Sequence, residues 1–306
     1  MKPVHSQCLV CSGTALEKLL NMYSWCLPKL RHGVAICRDC GHIQIHPFFS
    51  EEELENINRD FFGKKYLKQG MGNPDNSVKM NKLGDVLKSY IREGIQVLDV
   101  GAGESWAYDF FKGKGCHYWA IEPIDKLAKN IRQKGGRVIG KSLSEDYRDY
   151  REKFDIIIFR HVLEHLLNPS EALRKVHSLL NPEGVIYLAV PNAEGPFNLF
   201  RKGLHTSFFR PVHVSYFCEG NLARLALQVG LEAAYARSDG EIVMVLKKQL
   251  GELQRGAYEN YFSAHKDHFL RTARVLFRRD SINAIYFFSV SRPEAPAPSA
   301  EMDIHK

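Results

Sequence analysis

Val97-Leu98-Asp99-Val100-Gly101-Ala102-Gly103 is the stretch on which the reading of this chain turns. Preceded by Ile95-Gln96, it is a short apolar strand that ends in two glycines. The stretch Trp106 to Lys112 that follows reads as a helix. A strand that passes through a glycine turn into a helix lets backbone approach closely whatever lies across its carboxyl end. A dinucleotide site would extend the pattern to GxGxxG to receive a pyrophosphate. Here the run continues Glu104-Ser105-Trp106, so the third glycine is missing and Glu104 would repel phosphate near the helix start. A cofactor without phosphate fits better. Glu122 lies 23 residues after Asp99, at the end of the next strand-like run, where a carboxylate can accept both hydroxyls of a ribose.

Outward from this turn, short apolar runs alternate with helical ones. Tyr118 to Ile121, Arg137 to Ile139, Asp155 to Phe159 and Val185 to Val190 read as strands. Lys126 to Lys134 reads as a helix, and another opens at Asn168-Pro169 and stops near Leu180, before Asn181-Pro182-Glu183-Gly184. Such alternation predicts a parallel sheet covered on both faces. Beyond it, Asn221 to Val229 reads as a helix and Leu231 to Leu246 as strand, turn and strand, with the turn near Asp239-Gly240. A basic helical segment is expected over Lys247 to Arg279, then a last strand over Ala284 to Val290 and a disordered Pro-rich tail. Upstream, Ser50 before Glu51-Glu52-Glu53 is a helix-start signal, and a second helix is expected over Val78 to Ile91.

The amino-terminal region is different in kind. Cys8-x-x-Cys11 and Cys37-x-x-Cys40 are two knuckles separated by 25 residues. Each sets two thiolates toward one ion, and together they predict a closed tetrahedral zinc site with Cys8, Cys11, Cys37 and Cys40 as ligands. With no open position, such zinc is structural, in place of a core that so short a segment cannot build. A redox dithiol is the alternative. Cys26, Cys116 and Cys218 read as packed thiols.

Composition is that of a globular protein: 44% hydrophobic and 25% charged residues over 306 positions. The net charge of +7, from 42 basic and 35 acidic residues, does not by itself imply nucleic acid and suits an anionic small substrate equally well. No run of about 18 apolar residues occurs and no signal-peptide pattern opens the chain, so a cytoplasmic protein without membrane contact is expected.

In order, Val97 to Gly103, Glu122, Phe154-Asp155, His161-Val162-Leu163-Glu164-His165-Leu166, Leu180 to Gly184 and Val190-Pro191-Asn192 resemble the successive motifs of class I S-adenosylmethionine-dependent methyltransferases over residues 95 to about 235. The resemblance implies an α/β fold, a Rossmann-like sheet that is mostly parallel with an antiparallel last strand, preceded by a small zinc ribbon. It also implies S-adenosyl-L-methionine as cofactor. Asp99, Gly101, Ala102 and Gly103 would sit against its methionine part, Glu122 would bind its ribose, Ser142 and Leu143 would lie near adenine, and Arg160 and His161 would flank the methionine and open toward the substrate. The family usually has a third glycine where this chain has Ser105. A zinc ribbon ahead of such a domain resembles a group that includes C-methyltransferases of nucleotide-linked 4-keto sugars, and Cys37-Arg38-Asp39-Cys40-Gly41-His42-Ile43-Gln44 is similar to its second knuckle. The domain organisation this implies is a ribbon over 1–50, a helical entry segment over 51–94, the methyltransferase domain over 95–292 and the tail over 293–306.

Methyl transfer to an alcohol or an α-carbon also needs a proton removed, and histidine suits that task. His161, Glu164 and His165 follow the fourth strand of the sheet; if helical, His161 and His165 share a face, with Glu164 raising imidazole basicity. A loop-ordering role for Glu164 and His165 is the alternative, and a two-histidine metal site lacks an evident third ligand. His213, in Pro211-Val212-His213-Val214-Ser215-Tyr216-Phe217, and more weakly His205 are further candidates, amid Phe197, Phe208, Phe209, Tyr216 and Phe217. Tyr66 could cover the cofactor. The acceptor expected is a small molecule, a sugar or nucleotide-linked sugar, methylated at carbon or oxygen. Alternatives are an RNA-directed enzyme, which the scarcity of basic residues in the knuckles argues against, and a non-catalytic scaffold. The basic run from His265 to Arg279 is a solvated face or an anion-docking face. Neither the methylated atom nor the oligomeric state is readable from the sequence.

Overall fold

The computed structural model describes residues 7–23, 31–68, 76–193, 212–238 and 240–249. Strands β1 (Leu16–Tyr23), β2 (Arg31–Cys37) and β3 (Ile43–His46) come first, then helices α1 (Glu51–Lys68) and α2 (Ser77–Leu87). The alternating region holds β4 (Gln96–Val100), α3 (Trp106–Lys112), β5 (His117–Ile121), α4 (Asp125–Lys134), β6 (Arg137–Gly140), β7 (Phe154–Arg160), α5 (Pro169–Leu179) and β8 (Leu180–Pro191). After it come β9 (Ser215–Tyr216), α6 (Glu219–Gln228), β10 (Leu231–Ser238) and β11 (Glu241–Lys248).

The larger sheet has the order β10-β11-β8-β7-β4-β5-β6. Its strands from β4 to β8 pair in parallel, whereas β11 runs antiparallel to β8 and β10 antiparallel to β11. This is the mostly parallel Rossmann-like sheet expected: among the described strands β11, the last, runs against the others, and β10, antiparallel to β11, points the same way as β8. Both faces are buried because each strand feeds both. Leu98 and Val100 pack on one side with Ile157 and Phe159, and Val97 packs on the other with Ile156 and Ile158. Sheet order reverses at β4, which has β5 on one flank and β7 on the other; ligands of open α/β sheets lie at the carboxyl ends beside such a point.

Local signals hold closely. Ser50 Oγ accepts from Glu53 N at 3.1 Å while Glu53 Oε2 accepts from Ser50 N at 2.7 Å, a reciprocal capping box that fixes the start of α1. Three expectations differ. The second entry helix ends at Leu87 rather than at Ile91. Strand β8 already begins at Leu180, which pairs with Phe154, and a register shift before Ile156 absorbs the Asn-Pro-Glu-Gly stretch that reads as a breaker. Lys247 and Lys248, expected to open the basic helix, instead end β11; the rest of that expected segment from Leu250 onward, the strand expected over Ala284 to Val290 and the tail lie outside the described residues.

The smaller sheet has the order β1-β2-β3-β9, antiparallel throughout. Its last strand comes from beyond β8: Ile43 pairs with Tyr216 and Gln44 with Ser215. One face of this sheet, through Val34, Ile36, Ile43 and Ile45, packs against Leu54 and Ile57 of α1 and against Val212 and Val214. Cys8, Val10, Cys37 and Cys40 join the same apolar cluster as Phe217 and Leu222.

Candidate active site

The turn after β4 is shaped by its glycines. Gly101 has φ +71°, and a Cβ there would stand 2.5 Å from the Val162 side chain, so the β7 loop closes directly over it. Gly103 has φ +55°. The third position of the turn, Ser105, is also left-handed at φ +53° and is fully buried, and its hydroxyl has no hydrogen-bond partner among the described residues. This backbone geometry is what a glycine at that position would serve. Ser105→Gly is expected to raise the unfolding free energy by about 1 kcal/mol, since a left-handed non-glycine residue costs about 1–2 kcal/mol and glycine returns part of that through the unfolded chain. Urea denaturation measures it, and a drop in stability would show that the serine side chain holds the turn.

Glu122, at the carboxyl end of β5, organises this turn. Its Oε2 accepts from Gly103 N at 2.7 Å and its Oε1 from Ile124 N at 2.9 Å. Burial pushes its carboxyl up to about 7, against the pull of those two N–H groups and with a small further rise from Asp99. Asp99 is itself buried on β4 and accepts from the Tyr118 hydroxyl at 2.6 Å. Burial raises its carboxyl to about 6, while Tyr118 and Arg160 oppose the rise. Ala102 is buried between the two glycines. Ser142 and Leu143 follow β6, where Glu122 N donates to Gly140 O at 3.0 Å. Ser142 is exposed, its N donating to Glu145 Oε1 at 3.0 Å, and Leu143 packs on the core. The turn, Glu122 and the loop after β6 thus line one edge of the sheet.

Arg160 and His161, at the carboxyl end of β7, enter an ion-pair network that the sequence does not announce. Glu241, the first residue of β11, takes Arg160 at 2.8 Å and His161 Nε2 at 2.9 Å. His161 Nδ1 lies 3.2 Å from Glu164 Oε1. Burial alone would lower the His161 pKa, but Glu164 and Glu241 raise it above the ordinary value. Burial would likewise raise Glu241, and His161 and Arg160 hold it down to about 2. Glu241 is found only through sheet order, because β11 lies beside β8 and so brings residue 241 level with Pro191.

The shared helical face expected for His161 and His165 does not form. His161 has φ +53° and its N donates to Ala189 O at 2.8 Å, so the chain leaves β7 in a left-handed kink. Only a single 3-10 turn, Leu163–His165, follows. His161 faces Glu241, His165 faces the segment after β8, and the buried Glu164 lies between them. His165 Nδ1 meets Val212 O at 2.8 Å, and its ring lies 4.9 Å from that of His213, which is 6% exposed. The structure therefore brings Glu164, His165 and His213 together. Phe197, His205, Phe208 and Phe209 lie outside the described residues; Tyr66 lies in α1.

The thiols of Cys8, Cys11, Cys37 and Cys40 also converge, with Cys8 and Cys40 sulfurs 3.5 Å apart and Cys11 and Cys37 sulfurs 3.5 Å apart. Each knuckle is closed by backbone: Ser12 N donates to Cys8 O at 2.9 Å and Gly41 N to Cys37 O at 2.8 Å. Gln44, fully buried, fixes the first knuckle by accepting from Leu9 N at 2.9 Å and donating to Gln7 O at 3.2 Å. Four sulfur donors and no oxygen are a donor set suited to one soft or borderline ion.

The chain matches a family model described as a methyltransferase domain over residues 76–236, more than half its length. Ubiquinone biosynthesis O-methyltransferase of Actinobacillus pleuropneumoniae serotype 7 is 26% identical over 157 residues, 41% of this chain and 64% of that protein. The protein of the same name from Coxiella burnetii (strain RSA 331 / Henzerling II) is 26% identical over 197 residues, 56% of this chain and 84% of that protein. Among solved structures, 1,6-didemethyltoxoflavin-N1-methyltransferase of Burkholderia thailandensis superposes with a TM-score of 0.53 at 18% identity, over 72% of this chain and 97% of that one. That structure holds 1,6-didemethyltoxoflavin and S-adenosylhomocysteine; at this identity the likeness is one of fold. No helix among the described residues is long and apolar enough to cross a membrane. With sheet order, glycine turn and family model in agreement, the chain belongs to the methyltransferase-domain family.

Proposed function

We propose that this protein is an S-adenosylmethionine-dependent methyltransferase acting on a small molecule. The observation that carries the reading is Glu122, whose buried carboxylate ends β5 and is tied to the glycine turn through Gly103 N. Asp99, Gly101, Ala102, Gly103, Glu122, Ser142, Leu143, Arg160 and His161 are the residues we assign to the cofactor. They fit a group with a ribose and a charged amino-acid end: close-approaching backbone at the turn, a carboxylate for hydroxyls, and charged groups after β7. The bound cofactor would supply a methyl already activated on sulfonium, so the protein's task is alignment of the acceptor and removal of its proton. Glu164, His165 and His213 are the groups we assign to that proton.

The finer reading of the acceptor is a sugar or nucleotide-linked sugar, methylated at carbon or oxygen. It is supported by the resemblance of the two-knuckle ribbon to that of the sugar C-methyltransferase group, whereas the relatives above are named for ubiquinone biosynthesis. For the thiol tetrad we assign a structural Zn2+, since four cysteine sulfurs leave no open coordination position. Thiols kept for a metal fit a reducing, cytoplasmic setting.

Calorimetry with S-adenosylhomocysteine tests the central claim, and no binding at millimolar ligand would overturn it. The pH dependence adds a sign. Ribose hydroxyls donate to a carboxylate, so binding favours ionised Glu122, whose carboxyl titrates near 7 in the free protein. Affinity is therefore expected to be level above that pH and to fall below it, by up to about tenfold per unit. Glu122→Gln should flatten the part of this profile near 7, because the titrating group is gone. A wild-type affinity that does not change between pH 5 and 8, or rises on acidification, would remove Glu122 from the ribose site.

A further inference from the structure

One ligating atom each from Glu164, His165 and His213 lies within 4.8 Å of the others. Glu164 is 1% exposed; its Oε1 is met by His161, but its Oε2 is buried without a hydrogen-bond partner among the described residues. A bare, buried acceptor costs about 1–3 kcal/mol, and more when charged, so such an oxygen calls for a cation. His165 is set to supply a neighbouring donor. Its Nδ1 faces the Val212 carbonyl at 2.8 Å, and a carbonyl can only accept, so Nδ1 carries the proton and Nε2 is the basic nitrogen of the neutral ring. An imidazole N–H held by a backbone carbonyl is the usual outer support of a metal-bound histidine. Nε2 stands 3.9 Å from Glu164 Oε1, too far for a hydrogen bond and inside the limit of about 4.2 Å set by two ligand arms of about 2.1 Å meeting at one ion. Backbone ties the two contributing segments together, since Val214 N donates to Glu164 O at 2.8 Å.

We propose that Glu164, His165 and His213 form a second metal site, for a divalent ion of the Zn2+ or Mn2+ class. Two imidazoles and one carboxylate suit these ions better than Ca2+ or Mg2+, and the absence of thiolate separates this site chemically from the cysteine tetrad. Three protein ligands leave coordination positions open, the arrangement of a working ion rather than a structural one. An acceptor hydroxyl bound there would be made more acidic, so that its proton could pass to solvent water in place of the histidine base named above. The purpose of the ion rests on the methyltransferase reading above; its binding does not.

The intact chain, with its tetrad loaded with Zn2+, is titrated with Mn2+, and loss of the free-ion electron paramagnetic resonance signal reports uptake. One Mn2+ per chain is expected, with nitrogen couplings from coordinated imidazole in the spin-echo spectrum of the wild type. Glu164→Gln and His213→Ala should each weaken uptake by more than about tenfold, the lower end of what even outer-shell changes cost. Circular dichroism and tetrad zinc content should stay unchanged. Wild-type protein that takes up no Mn2+, or takes it up without nitrogen coupling, overturns the proposal, as does a folded Glu164→Gln that binds like wild type; the wild-type spectrum decides even if both variants misfold. Calorimetry with S-adenosylhomocysteine on the same sample separates the two readings: cofactor without Mn2+ sinks the metal site alone, and Mn2+ without cofactor sinks the methyltransferase reading alone.

Discussion

Cys37→Ser should empty the thiol tetrad and loosen far more than the amino-terminal knuckles. Zinc content is expected to fall from about one ion per chain to near zero, because a closed four-thiolate site does not tolerate the loss of a ligand. Structural zinc supplies on the order of 10 kcal/mol of folding free energy to small domains, so the β1–β2–β3 sheet should lose its cooperative stability. The loss should travel. Ile45 N donates to Val214 O at 3.0 Å and Val214 N donates to Glu164 O at 2.8 Å, a relay of backbone bonds from the ribbon into the histidine cluster. Hydrogen exchange of the Ile45 and Val214 amides reads both steps. Faster exchange at both is the expected result; wild-type protection at Val214 alongside a zinc-free ribbon would show that the acceptor side stands by itself.

Glu122→Ala should have the largest effect on cofactor affinity. Two hydrogen bonds to a carboxylate contribute together about 3 kcal/mol or more, so the dissociation constant for S-adenosylhomocysteine should rise by at least about a hundredfold. Stability should also drop by about 1–3 kcal/mol, since Gly103 N and Ile124 N lose their acceptor. The two effects separate in Glu122→Gln, whose amide oxygen can still take one N–H while the charge is gone. A change in affinity below about threefold for Glu122→Ala, with the fold intact, would place the ribose elsewhere.

Much of the sheet is legible in the sequence because each parallel strand is short, apolar and punctuated. Trp106 to Lys112 is read to the residue, and the other strands and helices of the alternating region are read to within a residue or two, apart from β8. The glycine turn and Glu122 are legible for the same reason: close backbone approach admits few residue types. The histidine cluster is harder. Glu164 and His165 fall in a recognisable stretch, but a helical reading sets His165 beside His161, and only the left-handed His161 separates them. His213 comes to His165 through a connection that sequence spacing does not encode. Glu241 is an ordinary surface residue by sequence and becomes the partner of Arg160 and His161 only once β11 is laid against β8.

The pairing of Ile43 with Tyr216 and of Gln44 with Ser215 bears on how this protein could be recombined with its relatives. Cut at the apparent boundary near residue 50, a transplanted ribbon would carry an uncapped β3 edge into its new host and leave behind an orphan β-segment in the old one. Such edges pair with whatever strand is at hand, so chimeras of that design would be expected to aggregate. The exchangeable unit is discontinuous: the ribbon together with 212–217. A library that varies acceptor preference by shuffling amino-terminal modules would have to move both pieces, and the histidine carried by the second piece would move with them.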